Sequence, residues 1–237
     1  MITGTTPSIK QAMILAAGKG TRMRPLTLTT PKPLVSVAGK PLIVWHIERL
    51  MQAGISDITI NVGYLGEVLE AALLAMDLPV RLHISKEVGE PLETAGGIKY
   101  ALSQGLLKES PFLLINGDVW TEFDVSPLLT HHLKDKQAHL VLIDNPDHHP
   151  DGDFVLTQGQ VLPKSEQTQA LTFAGISVIS PMLVDSVQAG QVAPLAPLLR
   201  QAMLNHQVTG EYMQAKWVDV GTLERLAGLE AYLSNKV

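Results

Sequence analysis

The sequence contains no cysteine among its 237 residues. Such a chain has no disulfide framework, no thiolate metal site and no cysteine nucleophile. Aromatic residues make up only 5% of it, too few for a platform on which single-stranded nucleic acid stacks. The net charge of -5 also argues against nucleic acid, whose phosphates require a basic surface. We therefore expect no nucleic-acid partner.

Long apolar runs are lacking as well, and none approaches the roughly 20 residues that a membrane helix needs. The opening residues MITGTTPSIKQ show neither the basic start nor the apolar core of a signal peptide. Internal repeats, hexapeptide repeats included, are absent, so we expect no β-helix appendage. We expect a cytoplasmic protein without a membrane partner.

The chain does contain enough apolar sequence for one sizeable core, because 46% of its residues are hydrophobic and only 17% are charged. We expect residues 10–237 to form a single domain that acts as a monomer. Residues 1–9 show no periodic pattern and are predicted to be a flexible N-terminal extension.

Short apolar runs alternate with segments of helical period, which is typical of βαβ units. The pattern predicts strands at residues 12–15, 58–62, 80–84, 112–115, 139–143 and 173–179, and helices at residues 41–54, 65–76, 96–107 and 126–136. Residues 145–153 and 159–169 are predicted loops, and the last quarter is predicted to be helical around a short strand at 216–220. The fold class is therefore α/β, a single Rossmann-like domain with a mostly parallel central sheet flanked by helices.

A glycine-rich loop follows the first predicted strand. Gly18 and Gly20 let backbone N–H groups approach phosphate oxygens, and open α/β sheets bind ligands at the carboxyl ends of their strands. The loop is not a Rossmann fingerprint, because Met23 stands at the third glycine, and it is not a Walker A motif. A plain tight turn is the alternative interpretation. We predict nucleotide binding by Leu15, Ala16, Ala17, Gly18, Lys19 and Gly20.

Positive charge is concentrated around this loop. Residues 11–47 include no acidic residue, although the chain is acidic overall. The basic residues of this stretch are Lys19, Arg22, Arg24, Lys32 and Lys40. A local excess of positive charge attracts a polyanion, and arginine binds phosphate oxygens bidentately. We predict that these basic residues, Arg22 among them, bind a triphosphate.

A proline pair flanks one of these lysines. Pro31 and Pro33 restrict the backbone on both sides of Lys32, which holds the ammonium group in place. A simple bend between a strand and a helix is the alternative. We predict that Lys32 is a functional residue of the same basic stretch.

Two aspartates lie at the ends of short apolar strands. Asp118 closes the segment FLLINGD, and Asp219 lies in KWVDVGT. Mg²⁺ that is bound to phosphate usually takes only one or two protein carboxylates, and such strand ends present them. An ordinary Asn-Gly-Asp turn is the alternative for Asp118. Together the two aspartates predict a magnesium site.

The segment EVGEPLETAGG opens a predicted helix with small residues. Small residues and the free N–H groups of a helix start can pack against a nucleotide base, and Glu90 can accept a hydrogen bond from a ring N–H. A glycine-rich helix cap is an equally good interpretation. We predict Glu90, Thr94 and Gly96 as further nucleotide-binding residues.

The histidine pairs at 131–132 and 148–149 predict no transition-metal site. Adjacent residues do not share a helix face, and no HExxH motif is present. A serine hydrolase is also disfavoured, because the chain has no Gly-x-Ser-x-Gly motif.

With these motifs in view, the chain resembles the bacterial nucleotide-sugar pyrophosphorylases, which are sugar-1-phosphate nucleotidyltransferases, over nearly its whole length. LAAGKGTRMRP, PKP, PLETAGG, NGD and WVDVGT correspond to family motifs in the same order. Further segments, among them DNPDHHPDGDF and KWVDVGTLERL, resemble the branch of the family that acts on muramate in peptidoglycan recycling. Residues 1–9 depart from the family as an extension ahead of the usual start.

The resemblance implies roles for individual residues. It implies that Asn116 and Asp153 position the sugar phosphate, that Gly175 lies near the sugar, and that Asp118 and Asp219 hold Mg²⁺ as the cofactor. The other implied contacts are those of Ala16, Ala17 and Gly18 with the nucleotide, of Arg22 with the leaving phosphates and of Lys32 with the triphosphate.

The resemblance also implies an activity, the transfer of a uridylyl group from UTP to N-acetylmuramate 1-phosphate. The attacking phosphate is already an anion, so the reaction needs electrostatic stabilisation and not a general base. Mg²⁺ and the expected catalytic residues Arg22 and Lys32 would supply it. Two alternatives stay open. One is another sugar-1-phosphate nucleotidyltransferase, with mannose 1-phosphate and GTP or glucose 1-phosphate and dTTP as substrates. The other is a regulatory domain that binds a nucleotide sugar without turnover.

Overall fold

The computed structural model describes residues 9–165 and 168–236. The strands of the described residues are β1 (Gln11–Leu15), β2 (Ser36–Val37), β3 (Lys40–Pro41), β4 (Asp57–Val62), β5 (Arg81–Lys86), β6 (Phe112–Asn116), β7 (Val119–Thr121), β8 (Ala138–Ile143), β9 (Phe154–Thr157), β10 (Gln160–Pro163), β11 (Thr172–Ile179), β12 (Val208–Tyr212) and β13 (Trp217–Asp219). The α-helices are α1 (Leu42–Gln52), α2 (Gly66–Ala75), α3 (Glu93–Ser103), α4 (Leu195–Leu204) and α5 (Leu223–Ser234). Short 3₁₀ turns lie at Thr21–Met23, Leu26–Leu28, Lys32–Leu34, Ser126–Thr130 and Pro181–Val184.

One nine-stranded sheet organises the chain, in the order β5-β4-β1-β6-β11-β8-β12-β10-β9. Strands β5, β4, β1 and β6 run parallel to one another. β11 is antiparallel to β6 and β8, and β12 returns parallel to β8. The predicted α/β class with a central sheet is confirmed. Strands β5, β4, β1 and β6 form its larger parallel part, and β8 with β12 forms a further parallel pair.

The apolar runs form strands because helices cover both faces of the sheet. In β1, Ile14 faces the side covered by Ile47 of α1, whereas Met13 faces the side covered by Ile98 of α3 and Met203 of α4. Successive side chains of a strand point to opposite faces, so both sets become core. None of the described helices combines the length and the apolar composition that a bilayer span requires.

Each strand predicted before residue 180 overlaps a strand of the structure, but three local predictions are wrong. The helix predicted over 126–136 is only the 3₁₀ turn Ser126–Thr130, and Lys134 takes a left-handed φ of 53° that no α-helix accommodates. The apolar spacing of this segment comes from leucines that are buried in the turn and just after it, Leu133 included.

The predicted loop 159–169 contains strand β10, which forms a hairpin with β9. Gln158 and Gly159 join the two strands with φ values of 49° and 77°, as a two-residue hairpin turn requires. Strand β12 was not predicted, because Gly210 interrupts its apolar pattern. That glycine allows a close approach, since a Cβ there would lie 2.7 Å from the carbonyl oxygen of Leu140.

The predicted N-terminal extension, residues 1–9, lies outside the described residues except for Ile9. Ile9 is buried, and its N–H donates to the carbonyl oxygen of Leu129 at 3.0 Å. The packed part of the chain therefore includes Ile9.

The sheet also sets the position of the site. Leu15, the last residue of β1, is paired with Asn61 of β4 on one side and with Asn116 of β6 on the other. Three strand ends thus lie side by side, with polar side chains in the outer two. This is the edge at which open α/β sheets bind ligands.

Candidate active site

Two adjoining cavities open at this edge of the sheet. The first chamber, of about 430 Å³, is lined by Leu15, Ala16, Ala17, Gly18, Lys19, Gly20, Thr21, Arg22, Lys32, Pro33, Asn61, Glu87, Pro91, Glu93, Thr94, Asn116, Gly117, Asp118 and Gly221. The second chamber, of about 310 Å³, is lined by Arg22, Asn116, Asp118, Val119, Pro146, His148, His149, Thr172, Phe173, Gly175, Trp217 and Asp219. Arg22, Asn116 and Asp118 line both, so they mark the junction between the chambers.

The predicted glycine loop forms one wall of the first chamber. Every residue from Leu15 to Arg22 lines it, and Thr94 at the start of α3 lines it as well. The N–H of Ala16 is already engaged, since it donates to Asn61 Oδ1 at 2.8 Å. The structure therefore brings the predicted loop residues and Thr94 together around one cavity.

Asn61 and Glu87 hold the loop in place, and the sequence prediction missed both. Asn61 Nδ2 donates to Glu87 Oε1 at 2.7 Å, and the N–H of Leu92 donates to Glu87 Oε2 at 2.9 Å. Asn61 and Glu87 are both buried. A buried carboxylate with both oxygens bonded links the glycine loop to the segment before α3. The available signal was a polar residue near the end of the apolar run ITINV.

Two residues of the predicted nucleotide-binding set do not line either chamber. Glu90 is 81% exposed at its side chain and pairs with Lys19, with 2.9 Å between Oε2 and Nζ. Gly96 packs closely against the backbone of Gln191, since a Cβ there would lie 2.3 Å from the carbonyl oxygen of that residue. Its N–H donates to Ala193 O at 3.1 Å, so this glycine serves the packing of α3.

The basic residues of the first segment have different environments. Lys32 Nζ lies 2.8 Å from Asp118 Oδ2, and its side chain is only 11% exposed. Arg22 lies at the junction between the chambers. Lys40 is not part of the site, because it pairs with Glu48 of α1 and lies over the ring of Trp45.

The two predicted metal-binding aspartates, 101 positions apart in the sequence, are brought together by the small β7–β13 sheet. Asp219 is paired with Val119, the residue after Asp118. The N–H of Val220 donates to the carbonyl oxygen of Asp118 at 2.7 Å. Both aspartates line the second chamber. The structure therefore supplies two carboxylates to the second chamber, and that of Asp118 lies at the junction.

This pair of carboxylates fits a hard cation such as Mg²⁺. Asp219 Oδ1 is buried without a well-formed hydrogen bond, although His148 Nε2 lies 3.0 Å away. The described residues contain no group of three or more potential metal ligands. Mg²⁺ commonly completes its shell with substrate phosphates and water, so two carboxylates suffice.

A second arginine, which the sequence prediction missed, lies beside this pair. Arg225 Nη2 is 3.1 Å from Asp219 Oδ2. A Cβ placed on Gly221 would lie 2.1 Å from Arg225 Nη2 and 3.1 Å from Arg22 Nη2. Two guanidinium groups and one carboxylate thus converge on the bare face of Gly221.

Of the three residues predicted to bind the sugar phosphate, Asn116 and Gly175 line the second chamber, but Asp153 does not. Gly175, with a φ of 72°, leaves space for Asn116, whose Nδ2 would be 2.9 Å from a Cβ. Asp153 instead accepts the N–H of Phe173 at 2.9 Å and contacts His149 Nε2 at 3.0 Å. Its carboxylate therefore reaches the chamber only through His149.

A buried histidine supports the junction from behind. His46 of α1 is fully buried, and burial lowers its pKa to about 3. The charge of the neighbouring Arg49 contributes to this lowered pKa after burial, whereas the charge of Asp118 opposes the shift. The imidazole is therefore neutral near neutral pH.

Comparison with known proteins decides the family. A sequence model described as nucleotidyl transferase matches residues 11–173. The chain belongs to this family. It is 47% identical to the N-acetylmuramate alpha-1-phosphate uridylyltransferase of Neisseria meningitidis, over 93% of this chain and 97% of that protein. It is 30% identical to the mannose-1-phosphate guanylyltransferase catalytic subunit beta of Xenopus tropicalis, over 95% of this chain and 65% of that protein.

Among solved structures, this nucleotidyltransferase is similar to the UDP-glucose pyrophosphorylase of Acinetobacter baumanii. The TM-score is 0.80 at 18% identity, and the match covers 96% of this chain and 94% of that one. The likeness is one of fold. The predicted family and fold are thereby confirmed. The family match ends at residue 173, so Asp219 and Arg225 lie beyond the matched part of the chain.

Proposed function

We propose that this nucleotidyltransferase transfers a uridylyl group from UTP to N-acetylmuramate 1-phosphate, giving UDP-N-acetylmuramate and pyrophosphate. The observation that carries the proposal is the junction of two chambers at Arg22, Asn116 and Asp118. One chamber has the glycine loop for a triphosphate, and the other has room for a sugar phosphate. The choice of substrates is supported by the 47% identity to the Neisseria enzyme.

The chain's own residues account for the chemistry of an in-line displacement. The glycine loop binds the nucleotide, and Asn116 with Gly175 holds the sugar 1-phosphate in the second chamber. An oxygen of the sugar phosphate attacks the α-phosphorus of UTP, and the bond from that phosphorus to the β-phosphate oxygen breaks. Arg22 and Lys32 orient the two polyanions and stabilise the charge of the transition state.

Mg²⁺ is part of this proposal. Asp118 and Asp219 would hold it, and it would neutralise phosphate charge as a Lewis acid. The attacking oxygen is already ionised, so no residue is assigned as a general base.

We also propose the biological setting that the resemblance implies. The enzyme acts in peptidoglycan recycling in the cytoplasm, where nucleoside triphosphates are available, and it works as a monomer with residues 10–237 as its one catalytic domain. Cell fractionation and size-exclusion chromatography test the location and the oligomeric state.

A substrate panel tests the reaction. Pyrophosphate release is measured with Mg²⁺ and three pairs: UTP with N-acetylmuramate 1-phosphate, GTP with mannose 1-phosphate, and dTTP with glucose 1-phosphate. We expect the first pair to give the highest kcat/KM. A preference for another pair would assign a different nucleotidyltransferase activity, and binding without pyrophosphate release would indicate a regulatory domain.

A further inference from the structure

The loop at residues 145–153 forms a fixed wall of the second chamber. Asn145 Nδ2 donates to Pro150 O at 2.9 Å and to Ala170 O at 3.0 Å. Its Oδ1 accepts from Thr172 Oγ1 at 2.8 Å. One amide side chain thus closes the loop on itself and ties it to the start of β11, so the side chains that the loop presents have a defined position.

Asp153 holds one of these side chains, His149. Its Oδ2 accepts the N–H of Phe173 at 2.9 Å, and its Oδ1 lies 3.0 Å from His149 Nε2. An ionised carboxylate only accepts hydrogen bonds, so Nε2 is the donor in this contact. The other ring nitrogen, Nδ1, is then the atom that can meet a ligand, and His149 lines the chamber whereas Asp153 does not.

Positive charge in the second chamber is scarce. Among the described lining residues, the side chains that can carry it are those of Arg22, His148 and His149. Arg22 lies at the junction with the first chamber, and His148 Nε2 lies 3.0 Å from Asp219 Oδ1. His149 is the one of these three side chains that neither lies at the junction nor contacts Asp219.

This distribution of charge matters because N-acetylmuramate is N-acetylglucosamine with one addition, a lactyl ether that carries a carboxylate. We infer that His149, oriented by Asp153, is the specificity-determining residue that binds this carboxylate; the inference rests on the proposed function. With both ring nitrogens protonated, the imidazolium donates to Asp153 through Nε2 and to the lactyl carboxylate through Nδ1. Hydrogen bonds between charged groups are the stronger ones, and losing one costs roughly 10- to 100-fold in affinity.

The test compares two sugars that differ only in the lactyl group. We would measure kcat/KM with UTP for N-acetylmuramate 1-phosphate and for N-acetylglucosamine 1-phosphate, in the wild type and in His149→Asn. We expect the ratio of kcat/KM for the acidic sugar to kcat/KM for the neutral sugar to fall by about 10-fold or more in His149→Asn. The variant His148→Asn, at the adjacent position, is the matched control. It should lower kcat/KM for both sugars by a similar factor.

The positioning role of Asp153 has a separate readout. In Asp153→Asn we expect the KM of the acidic sugar to rise more than that of the neutral sugar, with a smaller change in kcat. An equal rise for both sugars would indicate that Asp153 only supports the loop.

A substrate variant removes any dependence on folding of the mutants. The methyl ester of the lactyl carboxylate is neutral, and the wild type should use it about 10-fold less well than the acid, whereas His149→Asn should treat the two nearly alike. If the wild type uses acid and ester equally, or if His149→Asn keeps the wild-type ratio, the inference is wrong. Failure of the wild type to use N-acetylmuramate 1-phosphate at all would instead overturn the proposed function.

Discussion

Lys32 and Asp118 form an ion pair at the junction of the two chambers, with 2.8 Å between Nζ and Oδ2. The lysine opens a 3₁₀ turn between Pro31 and Pro33, and the aspartate lies in the turn between β6 and β7. The pair holds a cation and a carboxylate side by side, and the proposed mechanism assigns the cation to the triphosphate and the carboxylate to the metal.

Replacing this lysine by methionine keeps the apolar stem and removes the charge. We expect Lys32→Met to lower kcat on the order of hundreds-fold, because one charge contact with the transition state is lost. Steady-state pyrophosphate release measures the effect. Lys99→Met is the matched control, since Lys99 pairs with Asp185 at 3.7 Å and lines neither chamber. Equal activity of the two variants would remove Lys32 from the mechanism.

The bare face of Gly221 gives a second prediction. In Gly221→Ala the new methyl group would displace Arg225 and crowd Arg22 and Asp219. We expect a large loss of turnover with the fold retained, because these side chains can move.

Gly228→Ala controls for this change within helix α5. A Cβ at Gly228 would meet nothing within 4 Å. Alanine is favoured over glycine inside a helix, so this variant should keep its activity and gain up to about 1 kcal/mol in the free energy of unfolding. Unimpaired turnover in Gly221→Ala would show that the convergence of side chains there has no part in the reaction.

The hydrogen bonds of Asn61 give a third prediction. Asn61→Ala leaves the N–H of Ala16 and one oxygen of Glu87 without partners, which should lower the free energy of unfolding by about 1–3 kcal/mol. Because Ala16 belongs to the nucleotide chamber, we also expect a higher KM for UTP. Urea unfolding and initial rates measure the two effects.

Thr59→Val is the control on the same strand. It removes the hydrogen bond from Thr59 Oγ1 to Leu106 O, which lies away from the chambers. We expect it to cost stability without changing the KM for UTP. If Asn61→Ala behaves in the same way, its network serves stability alone.

Local sequence predicted those parts of the site that lie within one motif. The glycine loop and Lys32 stand close together in the chain, and their residue types already indicate phosphate binding. Asn61 and Glu87 could not be found in this way, because their roles arise from the pairing of β4 with β1 and from the packing of α3. A polar residue in an apolar strand was visible, but its partners were not.

The limit of prediction from local sequence is clearer in the second chamber. The sequence predicts no metal site at the histidine pair 148–149 and indicates no other role for it, whereas the structure places both histidines in a chamber wall. Arg225 is not among the residues predicted for the site, although it lies against Asp219. In the fold, strand β12 was missed because Gly210 serves a close approach to β8, which no local pattern indicates.

A fourth prediction concerns the pH dependence of stability. The folded pKa of His46 is about 3, against 6.5 for the ordinary side chain. Between these values the unfolded chain binds a proton that the folded chain does not, so the free energy of unfolding falls as the pH falls. From about pH 7 to about pH 5 the loss should be about 2 kcal/mol.

Chemical unfolding of the metal-free protein at several pH values measures this loss. In His46→Gln the contribution of this side chain is absent, so the variant should lose about 2 kcal/mol less than the wild type over the same range. Parallel curves for the two proteins would show that His46 is not the buried titrating group.

The claim at the centre of this account is that Asp118 supports a Mg²⁺-dependent transfer at the junction. The most direct measurement is the rate of pyrophosphate release from UTP and N-acetylmuramate 1-phosphate across a Mg²⁺ titration, in the wild type, in Asp118→Asn and in the control Asp124→Asn. Asp124 lies outside both chambers and accepts the N–H of Ser126. We predict no turnover without a divalent cation, normal turnover in Asp124→Asn, and a loss on the order of hundreds-fold or more in Asp118→Asn. Full turnover without a divalent cation, or a wild-type Mg²⁺ response in Asp118→Asn, would contradict the account.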